Sequence, residues 1–237
     1  MGVNEILEYL SRGDYVLADR ITRLKAKQHY LSYVSKLSCD EKLELIDRIT
    51  GGLGYKGRDL NILQMNFAGT VISWIEAVKP KARVLEVGTG LGRTCFIVVS
   101  NVDTQLYLTL DNSLTMISIA LYANPIREYM MALNKSCVKV VWADATKAVN
   151  AIDDSFDHII HDGGPNPNRN PKLFSKPFLT RLVRLLRRGG TISVFAGMNR
   201  FWQEKIYAIL NEIGIRVEEA VHLPSSRAIV YHGVKVV

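Results

Sequence analysis

The chain has 237 residues, 48% of them hydrophobic and 22% charged, with a net charge of +7. That composition supplies one substantial core and excludes a disordered chain. No apolar run approaches the roughly 18 residues needed to cross a bilayer, and Met1-Gly2-Val3-Asn4-Glu5-Ile6 carries neither an export signal nor a myristoylation pattern, so no membrane partner and a cytoplasmic location are expected.

Residues 1–80 read as a helical segment. Ile6, Leu7 and Leu10 open it, a helical pattern runs from Val16 to Leu37, and another from Glu41 to Ile49 follows a cap signal at Ser38 and Asp40. The glycine-rich stretch Gly51–Gly57, carrying Tyr55 and Lys56 and followed by Arg58, is either a lid over a ligand or a plain connector. Ile62 to Val78 is helical again, and Lys79-Pro80 closes it, because proline disfavours the helical conformation in the residue before it.

Residues 81–237 alternate strand and helix. Strands are predicted at Val84–Val87, Leu106–Leu110, Val138–Val141, Phe156–His161 and Thr191–Phe195. Helices are predicted from Arg93, over Leu114–Ala123, Thr146–Ile152 and Leu173–Arg187, and over Trp202–Ile213. Such alternation builds a parallel sheet covered by helices on both faces, a doubly wound α/β fold. Two closing strands, at about 215–222 and 227–234, meet at Pro224-Ser225-Ser226 with no helix between them, so they are antiparallel and bring the sheet to seven strands. The three cysteines, Cys39, Cys95 and Cys137, lie far apart with no CxxC pair, which argues against a disulfide framework or a zinc site and for buried free thiols.

The turn between the first strand and first helix is Glu86-Val87-Gly88-Thr89-Gly90-Leu91-Gly92. Glycine there lets the backbone approach a ligand closely. No Gly-Lys-Ser/Thr follows, so it is not a P-loop. In a dinucleotide fingerprint Arg93 would have to be the third glycine. Glu86, two residues before the first glycine, favours S-adenosylmethionine through its amino-acid end, with a nicotinamide cofactor as the alternative. Gly88, Thr89, Gly90 and Gly92 would cradle that end.

Two further acids end strands. Asp111, with Asn112 beside it, is placed to accept ribose hydroxyls, and Asp144, beside Ala145, to meet the adenine amino group. Each alternatively caps the helix that follows it. Asp162, after the fourth strand, orients a nucleophile or accepts its proton, or simply bonds the loop backbone. His158 and His161 differ by an odd number and so point to opposite faces of their strand, which argues against a shared metal. His161, at the strand end, is the candidate catalytic histidine.

Charge is unevenly spread. Residues 1–80 hold 11 Lys/Arg and 10 Asp/Glu, whereas Arg169–Arg188 holds seven basic residues and no acid. Arg181, Arg184 and Arg188 share the spacing of one helix face, either solvated or in contact with phosphates.

The run from Val84 to Asp162 resembles a class I S-adenosylmethionine-dependent methyltransferase core. Gly88-Thr89-Gly90-Leu91-Gly92-Arg93-Thr94, Asn124-Pro125 and Asp153 through Asp162 resemble a family of predicted archaeal methyltransferases, a similarity that continues through Leu173-Phe174 and Leu186-Arg187-Arg188-Gly189-Gly190. It implies a Rossmann-like methyltransferase sheet. Asn170-Pro171-Lys172-Leu173 is similar to the methyltransferase that finishes 5-methylaminomethyl-uridine in transfer RNA, and aminopropyltransferases share the general layout. The family's loop after the fourth strand is Asp-Pro-Pro, which in amino-methylating enzymes grips the target nitrogen. Here it is Asp162-Gly163-Gly164-Pro165.

Three readings follow. The first is methyl transfer to a nucleophile on a larger substrate, with RNA favoured by the charge distribution. The second is aminopropyl transfer from decarboxylated S-adenosylmethionine to a polyamine, against which the acid-free stretch 165–188 speaks. The third is a non-catalytic S-adenosylmethionine-binding partner protein.

Overall fold

The computed structural model describes residues 3–50, 61–164, 167–223 and 226–236. The Gly51–Gly57 stretch with Tyr55, Lys56 and Arg58, the loop residue Pro165, and Pro224 and Ser225 of the last turn lie outside the described residues. Strands β1 (Arg83–Val87), β2 (Leu106–Asp111), β3 (Val138–Trp142), β4 (Phe156–His161), β5 (Leu186–Gly197), β6 (Ile215–His222) and β7 (Ile229–Lys235) form one seven-stranded sheet in the order β3-β2-β1-β4-β5-β7-β6. β1 to β5 run parallel, and β7 is antiparallel to both β5 and β6.

Period-2 alternation divides the strands between two cores. Leu85, Leu108 and Ile159 face one cluster with α8 (Ala145–Ala151), α9 (Lys176–Arg184) and α10 (Arg200–Glu212). Val84, Tyr107 and Ile160 face the other with α5 (Arg93–Asn101), α6 (Leu114–Tyr122) and α7 (Arg127–Leu133). The N-terminal helices are α1 (Val3–Ser11), α2 (Tyr15–Ser32), α3 (Cys39–Thr50) and α4 (Ile62–Ser73). α1, α2 and α4 share these cores, with Ile6, Leu10 and Ala18 in the first and Ala26 and Ile72 in the second, whereas Leu45 and Ile46 of α3 pack in a third cluster with Leu91, Met116 and Ile119. Among the described residues no helix is long and apolar enough to cross a membrane.

Two polar seams fix those helices. β3 is an edge strand, whose outward N–H groups would otherwise be open to pairing. Asp19 on α2 accepts from the Val140 N–H at 2.8 Å, and Thr22, one helical turn on, accepts from the Trp142 N–H at 3.0 Å. The second seam holds the end of α4. The carbonyls of Val71, Ile72 and Ser73 accept from His232 Nε2 (2.8 Å), Ser193 Oγ (2.6 Å) and His158 Nε2 (2.9 Å), side chains of β7, β5 and β4. Helix-end carbonyls have no partner within the helix, and here the sheet satisfies them.

The sequence expectations differ from the structure at five places. The pattern Val16–Leu37 breaks at Tyr33, where α2 gives way to a 3-10 turn over Val34–Lys36. The pattern Ile62–Val78 ends at Ser73, because Trp74 takes a left-handed conformation (φ 44°) and stacks on His232 at 4.8 Å. α7 was not anticipated. The helix expected to Arg187 stops at Arg184, and β5 starts already at Leu186, with a register shift where Phe156 pairs with Leu186 but His158 with Thr191. Of the thiols, Cys95 is buried, Cys137 half-buried and Cys39 exposed at the start of α3. The cap before α3 is a reciprocal pair: Glu41 N–H donates to Ser38 Oγ at 3.2 Å, and Ser38 N–H to Glu41 Oε2 at 2.7 Å.

Candidate functional site

The C-terminal ends of β1, β2, β3 and β4 open on one cleft of about 410 Å³. That is where ligands bind in open α/β sheets, and the size suits a small cofactor. The loop after β1 contributes Gly88, Thr89 and Gly90. The end of β2 contributes Asp111 and Asn112, the end of β3 Asp144 and Ala145, and the loop after β4 Asp162 to Gly164.

Close approach of two loops explains two of the glycines. Gly88 has φ +98°, and a Cβ on it would lie 2.7 Å from Gly163 Cα, while a Cβ on Gly163 would lie 2.7 Å from Val87 Cγ1. Gly164 has φ +70°, which proline, locked near −65°, cannot adopt. Where the family's loop has Pro-Pro, Gly163 thus answers to the crossing of the first loop, and Gly164 to its own left-handed backbone, where a Cβ would lie 2.9 Å from Asn170 Cβ. Gly92 does not line the cleft: it caps the start of α5, and a Cβ there would meet Leu133.

Asp111 faces the glycine loop. Its Oδ2 accepts from Gly90 N–H at 3.2 Å and its Oδ1 from Ser113 N–H at 2.9 Å. Burial pushes its carboxyl up, and those N–H groups pull it back. The cap of α6 is instead Ser113, which accepts from Met116 N–H. Asp144 does cap α8, through Oδ1 to Thr146 N–H at 2.9 Å, while it also lines the cleft. A carboxylate offers about four acceptor sites, so both acids keep capacity for a ligand.

Glu86 is placed otherwise than the sequence suggested. On β1 it points to the α5 face, fully buried and absent from the cleft wall. Its carboxyl accepts from Thr94 Oγ1 and, at 2.7 Å, from Thr109 Oγ1. Burial pushes it well above the usual carboxylate range, against the Thr109 hydroxyl and with the charge of Asp162. It braces the loop from beneath; Thr89, almost wholly buried, joins this network through Thr109 at 2.8 Å. Asn124 ties the same loop to α6, donating to the carbonyls of Leu91 and Ala120.

His161 also lies away from the cleft. It is fully buried on the opposite face of the sheet, stacks on Phe174 at 4.8 Å and donates from Nε2 to the Leu173 carbonyl at 2.8 Å. Burial depresses it to about 4, so it is a neutral core histidine. His158 is the strut under α4 and does not meet it. Asp162, by contrast, lines the cleft and pairs with Arg93 at 3.0 Å. Burial raises its carboxyl and the guanidinium lowers it.

The basic stripe is dispersed. Arg188 sits on β5, outside α9. Arg181 turns inward and donates to the carbonyls of Val149 and Ile152, both at 2.9 Å, at the end of α8. The cleft's own cations are others: Arg93, Arg169 and Lys172. From the sequence, Arg93 breaks the dinucleotide pattern, opens a helix and belongs to the family likeness, and Arg169 and Lys172 belong to the basic stretch, but none of the three stands out as a cleft residue. Ile49 and Thr50, from the end of α3, and Met116 complete the wall with no local signal for it.

Residues 115–230 match the protein family described as S-adenosyl-L-methionine-dependent methyltransferase. No curated protein matches the chain in sequence. Among solved structures it is similar to a spermidine synthase in complex with the transition-state analogue AdoDATO, with TM-score 0.63, 18% identity, and coverage of 72% of this chain and 61% of that one. It is similar to TrmN from Thermus thermophilus, with TM-score 0.56, 17% identity, and coverage of 74% and 52%. It is also similar to the ribosomal protein L11 methylase from Lactobacillus delbrueckii subsp. bulgaricus, with TM-score 0.55, 17% identity, and coverage of 76% and 82%. The chain thus spans 61% of that synthase and 52% of TrmN. The fold is the Rossmann-like one of class I methyltransferases.

Proposed function

We propose that this chain is an S-adenosylmethionine-dependent methyltransferase that acts on a nucleophile of a larger substrate, RNA. The observation that carries the reading is the cleft itself: a glycine loop and two carboxylates on successive strand ends, in a chain whose residues 115–230 match that family.

The residues present fit the cofactor. The backbone of Gly88 and Gly90 admits the amino-acid end, and Asp111 accepts ribose hydroxyls beside Gly90. Asp144 accepts from the adenine amino group, while Leu110, Ala143 and Met116 supply apolar wall. When bound, the cofactor supplies a methyl group on a sulfonium, which a nucleophile takes with the carbon–sulfur electron pair returning to sulfur.

The chain's own part is alignment, because in-line displacement gains most from holding the reacting atoms about 3 Å apart. Asp162, at the mouth of the loop, accepts the proton that the nucleophile loses, and Arg93 holds it in place. Arg169 and Lys172 attract an anionic acceptor.

RNA is supported by those cations, by the likeness of Asn170-Pro171-Lys172-Leu173 to a transfer-RNA methyltransferase, and by the similarity to TrmN. A polyamine acceptor fits less well, since the cations around Asp162 would repel it. The test is mass spectrometry of RNA, protein and small-molecule extracts incubated with the enzyme and deuterated-methyl S-adenosylmethionine. Label in RNA supports the reading; label only in protein or small molecules, or none, overturns it.

A further inference from the structure

Beside the cleft, where β5 passes into α10, the surface changes character. Met198 is 68% exposed and Phe201 65% exposed, within one turn of each other at the start of α10. Exposed large apolar side chains paired in this way mark a contact surface rather than a core. The pair is fixed to the cleft rim: Trp202, half of a T-shaped contact with Phe201, donates from Nε1 to Asn168 Oδ1 at 2.7 Å, and the next residue, Arg169, lines the cleft. Lys205 lies over the Trp202 ring at 4.7 Å and near the Phe201 ring at 5.8 Å.

The stretch of chain that leads to this surface is rich in cations and poor in acids. No Asp or Glu occurs between Asp162 and Glu204, and Glu204 is paired with Arg200 at 2.8 Å. An exposed ring among cations, continuous with a cleft whose rim holds Arg169 and Lys172, is the combination that binds single-stranded nucleic acid. Phosphates follow the cations and a base stacks on the ring, whatever its sequence. A polypeptide would use the apolar pair but would have no general need for the cations.

We propose that Phe201, with Met198 beside it, is a stacking post for a base of single-stranded RNA, and that the strand runs from it past Asn168 and Arg169 into the cleft. This rests on the reading of RNA as the acceptor. It places the RNA path on Asn168, Arg169 and the start of α10, and takes it away from α9.

The test is fluorescence anisotropy with a short labelled single-stranded RNA, on the parent, Phe201→Ala, Phe201→Trp, Phe201→Leu and Lys205→Gln. Phe201→Ala should bind the RNA about 5- to 100-fold more weakly, with Phe201→Trp restoring the parent's affinity. Lys205→Gln should lower the slope of log affinity against log salt by about 0.7. Calorimetric affinity for S-adenosylhomocysteine should stay unchanged in all four variants. RNA bound equally well by the parent and Phe201→Ala overturns the post while leaving RNA as acceptor. Full restoration by Phe201→Leu replaces stacking by plain apolar contact and overturns it too. A parent that binds S-adenosylhomocysteine but no RNA removes both the post and the acceptor. A Phe201→Ala variant that binds RNA normally but fails to methylate protein in an extract gives the surface to a polypeptide.

Discussion

Arg93, the first residue of α5, and Asp162, the residue after β4, form an ion pair of 3.0 Å in which the side chains are only 15% and 16% exposed. The pair bridges the two loops that meet at Gly88 and Gly163. Arg93 is held in turn by α4, since its Cγ lies 2.8 Å from where a Cβ on Gly69 would be.

Removing one partner leaves a buried charge uncompensated. Arg93→Met should therefore destabilise the protein by about 3 kcal/mol in denaturant titration. It should also move the acidic limb of the kcat profile to higher pH, because the guanidinium no longer lowers the Asp162 carboxyl. A variant that is less stable but keeps the parent's pH profile would show that Asp162 takes no proton during turnover.

Asp111→Ala should weaken binding of S-adenosylmethionine about 10- to 100-fold in calorimetry, from the loss of hydrogen bonds to the ribose and of the tie to Gly90. Unchanged affinity would take the ribose away from β2.

The intact cofactor should bind at least as tightly as its decarboxylated form, if the Gly88–Gly90 backbone receives the whole amino-acid end as proposed. A strong preference for the decarboxylated form, with turnover on putrescine, would convert the assignment to aminopropyl transfer.

His158 and His161 are both depressed to about 4, chiefly by burial. Their unfolded value is near 6.5, so the unfolded chain binds these protons first as pH falls. The stability they contribute is complete above about 6.5 and is lost between there and about 4, by roughly 3 kcal/mol for each ring. Melting followed from pH 7 to 4 should show the drop, and His161→Leu should flatten part of it while methyl transfer persists. Loss of turnover in a folded His161→Leu protein would return that ring to the chemistry.

Arg181→Gln should cost about 1.5–3 kcal/mol of stability, since charged donors to the carbonyls at the end of α8 are lost. RNA affinity and its salt slope should not change. A lower slope would restore α9 as a phosphate contact.

The strand–helix alternation, the antiparallel closing strands and the acids at the strand ends were legible because period and turn chemistry are local. Glu86 was misplaced for a reason period 2 makes clear: Val84 faces the α5 core, so Glu86 does too. The end of α4 was illegible because it is set by His158, Ser193 and His232, far along the chain. So was the fate of Arg181, whose partners lie 29 and 32 residues earlier on α8 and just after it. Arg188 moved to β5 because that strand begins before its glycine pair, where the pattern of apolar residues starts only at Thr191.

The three carbonyls at the end of α4 set an order of events during synthesis. The His232 side chain that holds Val71 is 161 residues further along, and Ser193 is 121 residues beyond Ile72. Before the middle of the sheet is made, the Val71 carbonyl has the Trp74 N–H at 3.2 Å, and the carbonyls of Ile72 and Ser73 wait for their side-chain donors. Helix α4 is among the earlier elements to emerge and among the last to be fastened, and through Gly69 and Arg93 it reaches the Asp162 carboxylate. A nascent chain released before β7 would therefore lack both that strand and one of the three side-chain anchors of α4, keeping those of His158 and Ser193.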